Sequence, residues 1–264
     1  MKNDYTMEIP SGFLKPLKFG GPNVGTLGQL KNELHRACFK GEADTVREIL
    51  AAGSAAGNRF RVNAVECDAP PLVHAVRQRA DDAEAETNIA NIARMLIHAG
   101  ANVDAIEGGE SPLILASIAA GGKVGKAQTV RLLCESGANL RCRDNTQKMT
   151  PLHWACVCGF KDVVEVLLEA GASASSITGK SAGPNNKVTA AQIVQNMLHK
   201  LAKGELVTPP QPKTEEAKEA LREELTRTLH MLEAASLKRE AEKREKKEAR
   251  RNGGDSARGG GDSD

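Results

Sequence analysis

Four stretches of the chain repeat one order of apolar and polar positions. Aligned on a single leucine they read Glu33-Leu34-His35-Arg36-Ala37, Pro71-Leu72-Val73-His74-Ala75, Pro112-Leu113-Ile114-Leu115-Ala116 and Pro151-Leu152-His153-Trp154-Ala155. Successive leucines lie 38, 41 and 39 residues apart, and a fainter copy, Thr189-Ala190-Ala191-Gln192-Ile193-Val194, follows 39 residues on from Leu152 to Ala191. Each of the four is followed by an apolar stripe at helical spacing and then a glycine, at Gly53, Gly100, Gly137 and Gly171. The pattern predicts pairs of short helices. Thr or Ser before Pro-Leu suits a helix start, because proline fits the first turn and the hydroxyl can cap it. Ala37, Ala75, Ala116 and Ala155 let neighbouring helices approach closely, and glycine after the second helix suits a left-handed terminus. One such pair cannot bury its apolar face alone, so the pairs must stack.

The fourth copy carries most of a known signature. Thr150-Pro151-Leu152-His153-Trp154-Ala155, then Gly159-Phe160, Val163-Val164, Leu167-Leu168 and Gly171-Ala172, resembles the ankyrin repeat family, and Gly41 to Leu50 resembles the second half of the same repeat. The resemblance runs from about Leu27 to Lys203. It implies an all-α solenoid of about five repeats.

The departures fall between the helices. From aligned leucine to closing glycine is 19 residues in the first and fourth copies, 28 in the second and 24 in the third. The extra residues lie near Arg79–Glu84 and Ala119–Gly125, and the connections at 54–69 and 173–187 are also long. They are read either as partner-contact loops or as drift, which loops tolerate at little cost.

The ends differ from the middle. Residues 1–26 form an extended segment in which Phe13, Leu14, Leu17 and Phe19 either cap the first repeat or dock on another protein. Residues 27–203 hold the repeats and 204–213 a Pro-rich linker. A charged amphipathic helix is predicted over 214–251, ahead of a disordered tail at 252–264. In that helix Leu221, Leu225, Leu229 and Leu232 share one stripe. They either cap the last, half-complete repeat or make a short coiled coil. Beyond Leu237 no large apolar residue follows, and Lys238 to Arg251 holds eight Lys or Arg against four Glu. Glu–Lys and Glu–Arg pairs are expected to support it as a solvated helix.

Composition narrows the function classes. The chain has 264 residues, 36 Lys plus Arg against 34 Asp plus Glu, and only 3% aromatics. That balance argues against a wholly basic nucleic-acid binder, and the aromatic poverty against a β-sandwich and against a sugar or base pocket. No apolar run reaches the roughly 18 residues of a membrane span. Met1 to Pro10 lacks the apolar stretch of a secretory signal, so a cytoplasmic or nuclear protein is expected. Six cysteines are too sparse for a disulfide scaffold and read as buried thiols.

Catalytic chemistry finds no footing. His153, Cys156 and Cys158 suggest zinc, but Cys158 points away from the other two and no fourth ligand is near in sequence. The resemblance explains His153 instead as a residue that hydrogen-bonds neighbouring turns. Gly121 to Lys126 resembles a phosphate loop, yet Ala120 stands where its first glycine belongs and Ala127 where Ser or Thr would reach magnesium. No cofactor, metal or small-molecule substrate is expected.

The resemblance places a binding groove on the inner face. Carried over position by position, the groove reads Arg36, His74, Leu115 and Trp154, flanked by Phe39, Arg77, Ile118 and Val157. The loop tips are Glu107, Glu110, Asn145, Gln147 and Lys148. Leu115, Ile118, Trp154 and Val157 would form an apolar patch beside a basic one, and Trp and Arg are frequent interface anchors. The expected function is therefore a non-catalytic adaptor or scaffold for one or more protein partners. The alternative is a nucleic-acid- or filament-associated protein that makes a polyanion contact through Lys238–Arg251.

Overall fold

A computed structural model describes residues 33–55, 62–65, 69–106, 110–118, 124–145, 147–179, 187–204 and 214–254. The segments expected at 1–26 and 252–264, and Glu107, lie outside the described residues or, for 252–254, within a helix of which only the backbone is described. Ten helices follow one another: α1 (Glu33–Lys40), α2 (Ala43–Ala55), α3 (Pro71–Val76), α4 (Ala83–His98), α5 (Pro112–Ile118), α6 (Ala127–Glu135), α7 (Pro151–Cys158), α8 (Lys161–Glu169), α9 (Ala190–Ala202) and α10 (Glu215–Gly254).

They stack as two rows. Helices α1, α3, α5, α7 and α9 pack in succession to form the first row, and α2, α4, α6 and α8 form the second. Helix α10 packs on both α8 and α9. It therefore takes the second-row place beside α9, and the last unit is a full pair rather than half a repeat. A continuous apolar core runs between the rows from Leu34 to Leu232.

Local chemistry explains the helix starts. Prolines open α3 and α7, where the missing N–H costs nothing. Thr150 and His153 form a reciprocal cap on α7, and Thr189 and Gln192 do the same on α9. At the ends of α4, α6 and α8, Gly100, Gly137 and Gly171 all adopt a left-handed φ of 86–91°. The first ending differs: α2 runs through Gly53 to Ala55.

The second copy's extra residues are spent on helix length. Asp82 accepts from the Ala85 N–H at 2.8 Å and starts α4 early, so α4 has 16 residues where α6 and α8 have 9. Its neighbour α6 has no side-chain cap of its own. Glu86 of α4 supplies one, accepting from the Thr129 N–H at 3.0 Å. Beside it Lys126, fully buried, donates from Nζ to the Val76 carbonyl at 2.6 Å, at the last turn of α3. A buried lysine and a buried carboxyl thus tie together three helices of two repeats.

Candidate functional site

The loops that join one pair to the next form a hydrogen-bonded row. The Asn63 side chain donates to the Gly100 carbonyl at 2.9 Å and accepts from the Asn102 N–H at 2.7 Å. The Asp104 carboxylate accepts from the Asn139 N–H at 2.9 Å. Arg143 donates to the Ile177 carbonyl at 2.8 Å, and the Gly179 N–H donates to the Gln147 carbonyl at 3.0 Å. Four successive loops are therefore linked, each to the next.

Buried groups brace the row from behind. Asp144 accepts from the N–H groups of Gln147 and Met149 and folds the third loop on itself. Lys148 sits at its tip with a φ of 54°. His35 reaches the Ala64 carbonyl at 2.7 Å, and His153 reaches the Ser176 carbonyl at 3.0 Å. The second contact is the role expected of His153. Its Nδ1 accepts from Thr150, so Nε2 carries the proton and both ring nitrogens are engaged within the fold. Neither is free to bind zinc, and among the described residues no group of three or more His, Cys, Asp and Glu is placed to hold a metal. Burial lowers the His153 pKa to about 4.

That shift fixes a sign. Between pH 6.5 and about 4 the unfolded imidazole binds a proton that the folded one refuses. The contribution of His153 to stability is therefore complete above pH 6.5 and shrinks as the pH falls toward 4. Denaturant midpoints for the wild type are expected to decline over that interval, and His153→Gln should show a shallower decline. An equal slope in both would remove His153 as the cause.

The structure separates the expected groove residues into two groups. Leu115, Ile118 and Trp154 are 1%, 5% and 5% exposed and belong to the core, as does His74 at 3%. The expected apolar patch is not on display. All seven residues of α5 are buried, because α3, α7 and α6 flank it. Val157, Arg77 and Glu110 are partly buried, and Gln147 is buried. Arg36, Asn145 and Lys148 are exposed. Phe39 is 36% exposed, its ring edge-on to His74 at 6.1 Å.

Three more exposed apolar residues stand away from the expected groove. Val65, Ile106 and Ile177 are 51%, 67% and 41% exposed, and all three lie on the linked loops. Val65, Ile106 and Asn145 each precede an aligned leucine by seven residues (Leu72, Leu113 and Leu152), so the alignment already held this register. Arg141, Arg143 and Lys148 give the adjoining tips an exposed basic edge. By contrast, the open groove of about 520 Å³ between α4, α6 and α8 is lined by Arg94, Arg131, Glu135, Asp162 and Glu165. Charges of both signs there do not make the apolar walls of a small-molecule site.

Stacked helix pairs of this length, a Thr-Pro-Leu-His start and loops bonded in series all point one way. A family model described as ankyrin repeats, in three copies, matches residues 82–178. The chain contains ankyrin repeats. Over 162 residues it is 29% identical to the E3 ubiquitin-protein ligase KEG of Arabidopsis thaliana. That match covers 59% of this chain and 9% of the relative, so the chain spans less than a tenth of the relative's length. The matched ankyrin repeats run from α4 to the loop after α8, and further helix pairs extend the stack on both sides. Ankyrin repeats are in general protein-interaction modules. Among the described residues no helix is long and apolar enough to cross a membrane.

Proposed function

We propose that the chain is a non-catalytic adaptor that holds a protein partner along its loop-tip row. The single observation that supports this reading is the exposure of Val65, Ile106 and Ile177 on loops that are bonded to one another. Apolar side chains on loose loops would cost ordering entropy on binding; on a linked row that cost is already met by folding. The partner suited to the row offers apolar side chains flanked by acidic groups, which face Arg141, Arg143 and Lys148. Arg36 and Phe39, exposed on α1 of the first repeat, are not needed by this surface. The inner-groove residues Leu115, Ile118 and Trp154 support the row from the core rather than touching the partner. The ligase activity named for the relative is no part of the proposal.

The test is a capture experiment with the full chain and a Val65→Glu/Ile106→Glu variant. Both changes are at exposed positions, so circular dichroism and thermal midpoint should be unchanged. A protein bound by the wild type should lose about 2 kcal/mol or more of affinity for the variant. Undiminished binding would assign the partner to another surface.

A further inference from the structure

The C-terminal helix α10 carries forty residues and is about 60 Å long. Its first half docks on the repeats: Leu225, Thr228 and Leu232 are buried, and Leu221 and Ala235 are partly so. Those five define one stripe, with steps of four, three, four and three. From Ala235 the same face runs on through Arg239, Lys243 and Lys246, in steps of four, four and three. The face that is apolar where it meets the solenoid is therefore basic where it leaves it. At about 100° per residue, Glu240, Glu245 and Glu248 lie roughly 100° or more from the axis of that stripe, and Glu242 borders it at about 60°. Three of the four glutamates that look interspersed in sequence therefore fall on other faces of the helix, with Glu242 at the edge of the basic one.

The stripe is also unencumbered. Residues 240–249 are exposed, and Arg239 is partly buried at the root. Ion pairs in α10 join Lys218 to Glu215, Arg222 to Glu219 and Arg227 to Glu223. Among the described residues none involves 238–249, so the Glu–Lys and Glu–Arg pairing expected of this segment is not what holds it straight. Lys243 and Lys247 face each other at i, i+4 like charges, a small cost to the free helix that an anion would relieve.

We propose that this basic stripe is a second binding surface, and that it takes the phosphodiester backbone of duplex nucleic acid without reading sequence. Leu237 is the last large apolar residue, so the projecting part has nothing to insert into a bilayer. No aromatic residue lies in 214–254, so unstacked bases have no platform. An acidic protein helix would meet the stripe only in exposed ion pairs, each worth about 0.2–1 kcal/mol. A duplex adds counterion release, which makes three or four cations enough for a measurable contact. The glutamates on the remaining faces keep the helix lying along the backbone rather than sinking into a groove.

The test uses the full chain and a fluorescent DNA duplex of roughly 20 base pairs, titrated by anisotropy over a range of salt. The logarithm of the binding constant should fall against log salt with a slope of about −3. Lys243→Gln/Lys246→Gln should weaken binding roughly tenfold or more at low salt and flatten the slope by about 2. Lys238→Gln/Arg244→Gln removes the same charge from other faces and should change affinity less than about threefold. Equal losses in the two variants would mean net charge alone and overturn the stripe. So would no binding at low salt, or anionic vesicles or polyglutamate competing as well as duplex.

Discussion

Lys126→Met is expected to destabilise the protein by about 3 kcal/mol, because it breaks one half of a buried charged arrangement and leaves the other half in place. Methionine fills a similar volume, so the loss is not a cavity effect. What remains is the Val76 carbonyl without its 2.6 Å donor and the Glu86 carboxylate without the cation beside it. The second replacement should undo most of this. In Lys126→Met/Glu86→Gln the amide oxygen can still accept from the Thr129 N–H, so the α6 start stays capped and no buried charge is stranded. The double variant is expected within about 1–2 kcal/mol of the wild type, read from urea midpoints. Losses that simply add would show that the two groups do not interact.

The same pair has a pH signature. Burial lowers the Lys126 pKa to about 7, against the unfolded value of 10.5. Between these values the unfolded state holds a proton that the folded state has shed, so this contribution to stability rises as the pH increases from 7. Above about pH 9 the buried thiols work the other way, since burial pushes Cys38 and Cys158 up to about 12. Wild-type stability should therefore climb between pH 7 and 9, and Lys126→Met should lack the climb.

Leu232→Ala is the second large effect, at about 3 kcal/mol. Leu232 is fully buried where α10 packs on α8 and α9. Terminal repeats have one neighbour instead of two, so they open first when an interface weakens. Amide exchange should accelerate in α9 and in the docked part of α10 while α3 to α6 keep their protection. Leu237→Ala, at a position 67% exposed, should shift stability by no more than about 0.5 kcal/mol. A coiled-coil role for the leucines predicts the reverse: little change in the monomer from Leu232→Ala, and a loss of self-association instead.

The repeat architecture was legible because it rests on recurring residues. One leucine, one small residue and one closing glycine per unit are enough to place most helix pairs in phase. The second copy's length was legible as an excess but not as a longer helix, because the deciding contact is a single Asp82 cap. The half-repeat reading of the C-terminus failed for a related reason. Thr208 to Pro212 interrupts the pattern, and only packing shows that α10 returns to the stack. In the binding surface the error lay in exposure. Leu115 and Trp154 occupy groove positions by alignment, but burial is set by neighbours and not by register. For that reason Trp154→Ala would report core damage before it reported partner contact. The loop tips were within reach, since Val65, Ile106 and Asn145 share one offset from the aligned leucine. Their hydrogen-bonded linkage through Asn63 and Asp104 required coordinates.

The most direct measurement is amide-exchange footprinting of the full chain with and without its captured protein partner. Protection confined to the loop segments 62–65, 102–106, 139–149 and 174–179 is the expected pattern, with the backbone of α5 and α7 unchanged. Protection of α2, α4, α6 and α8 with the loop tips unaltered would contradict a partner held on the loop row.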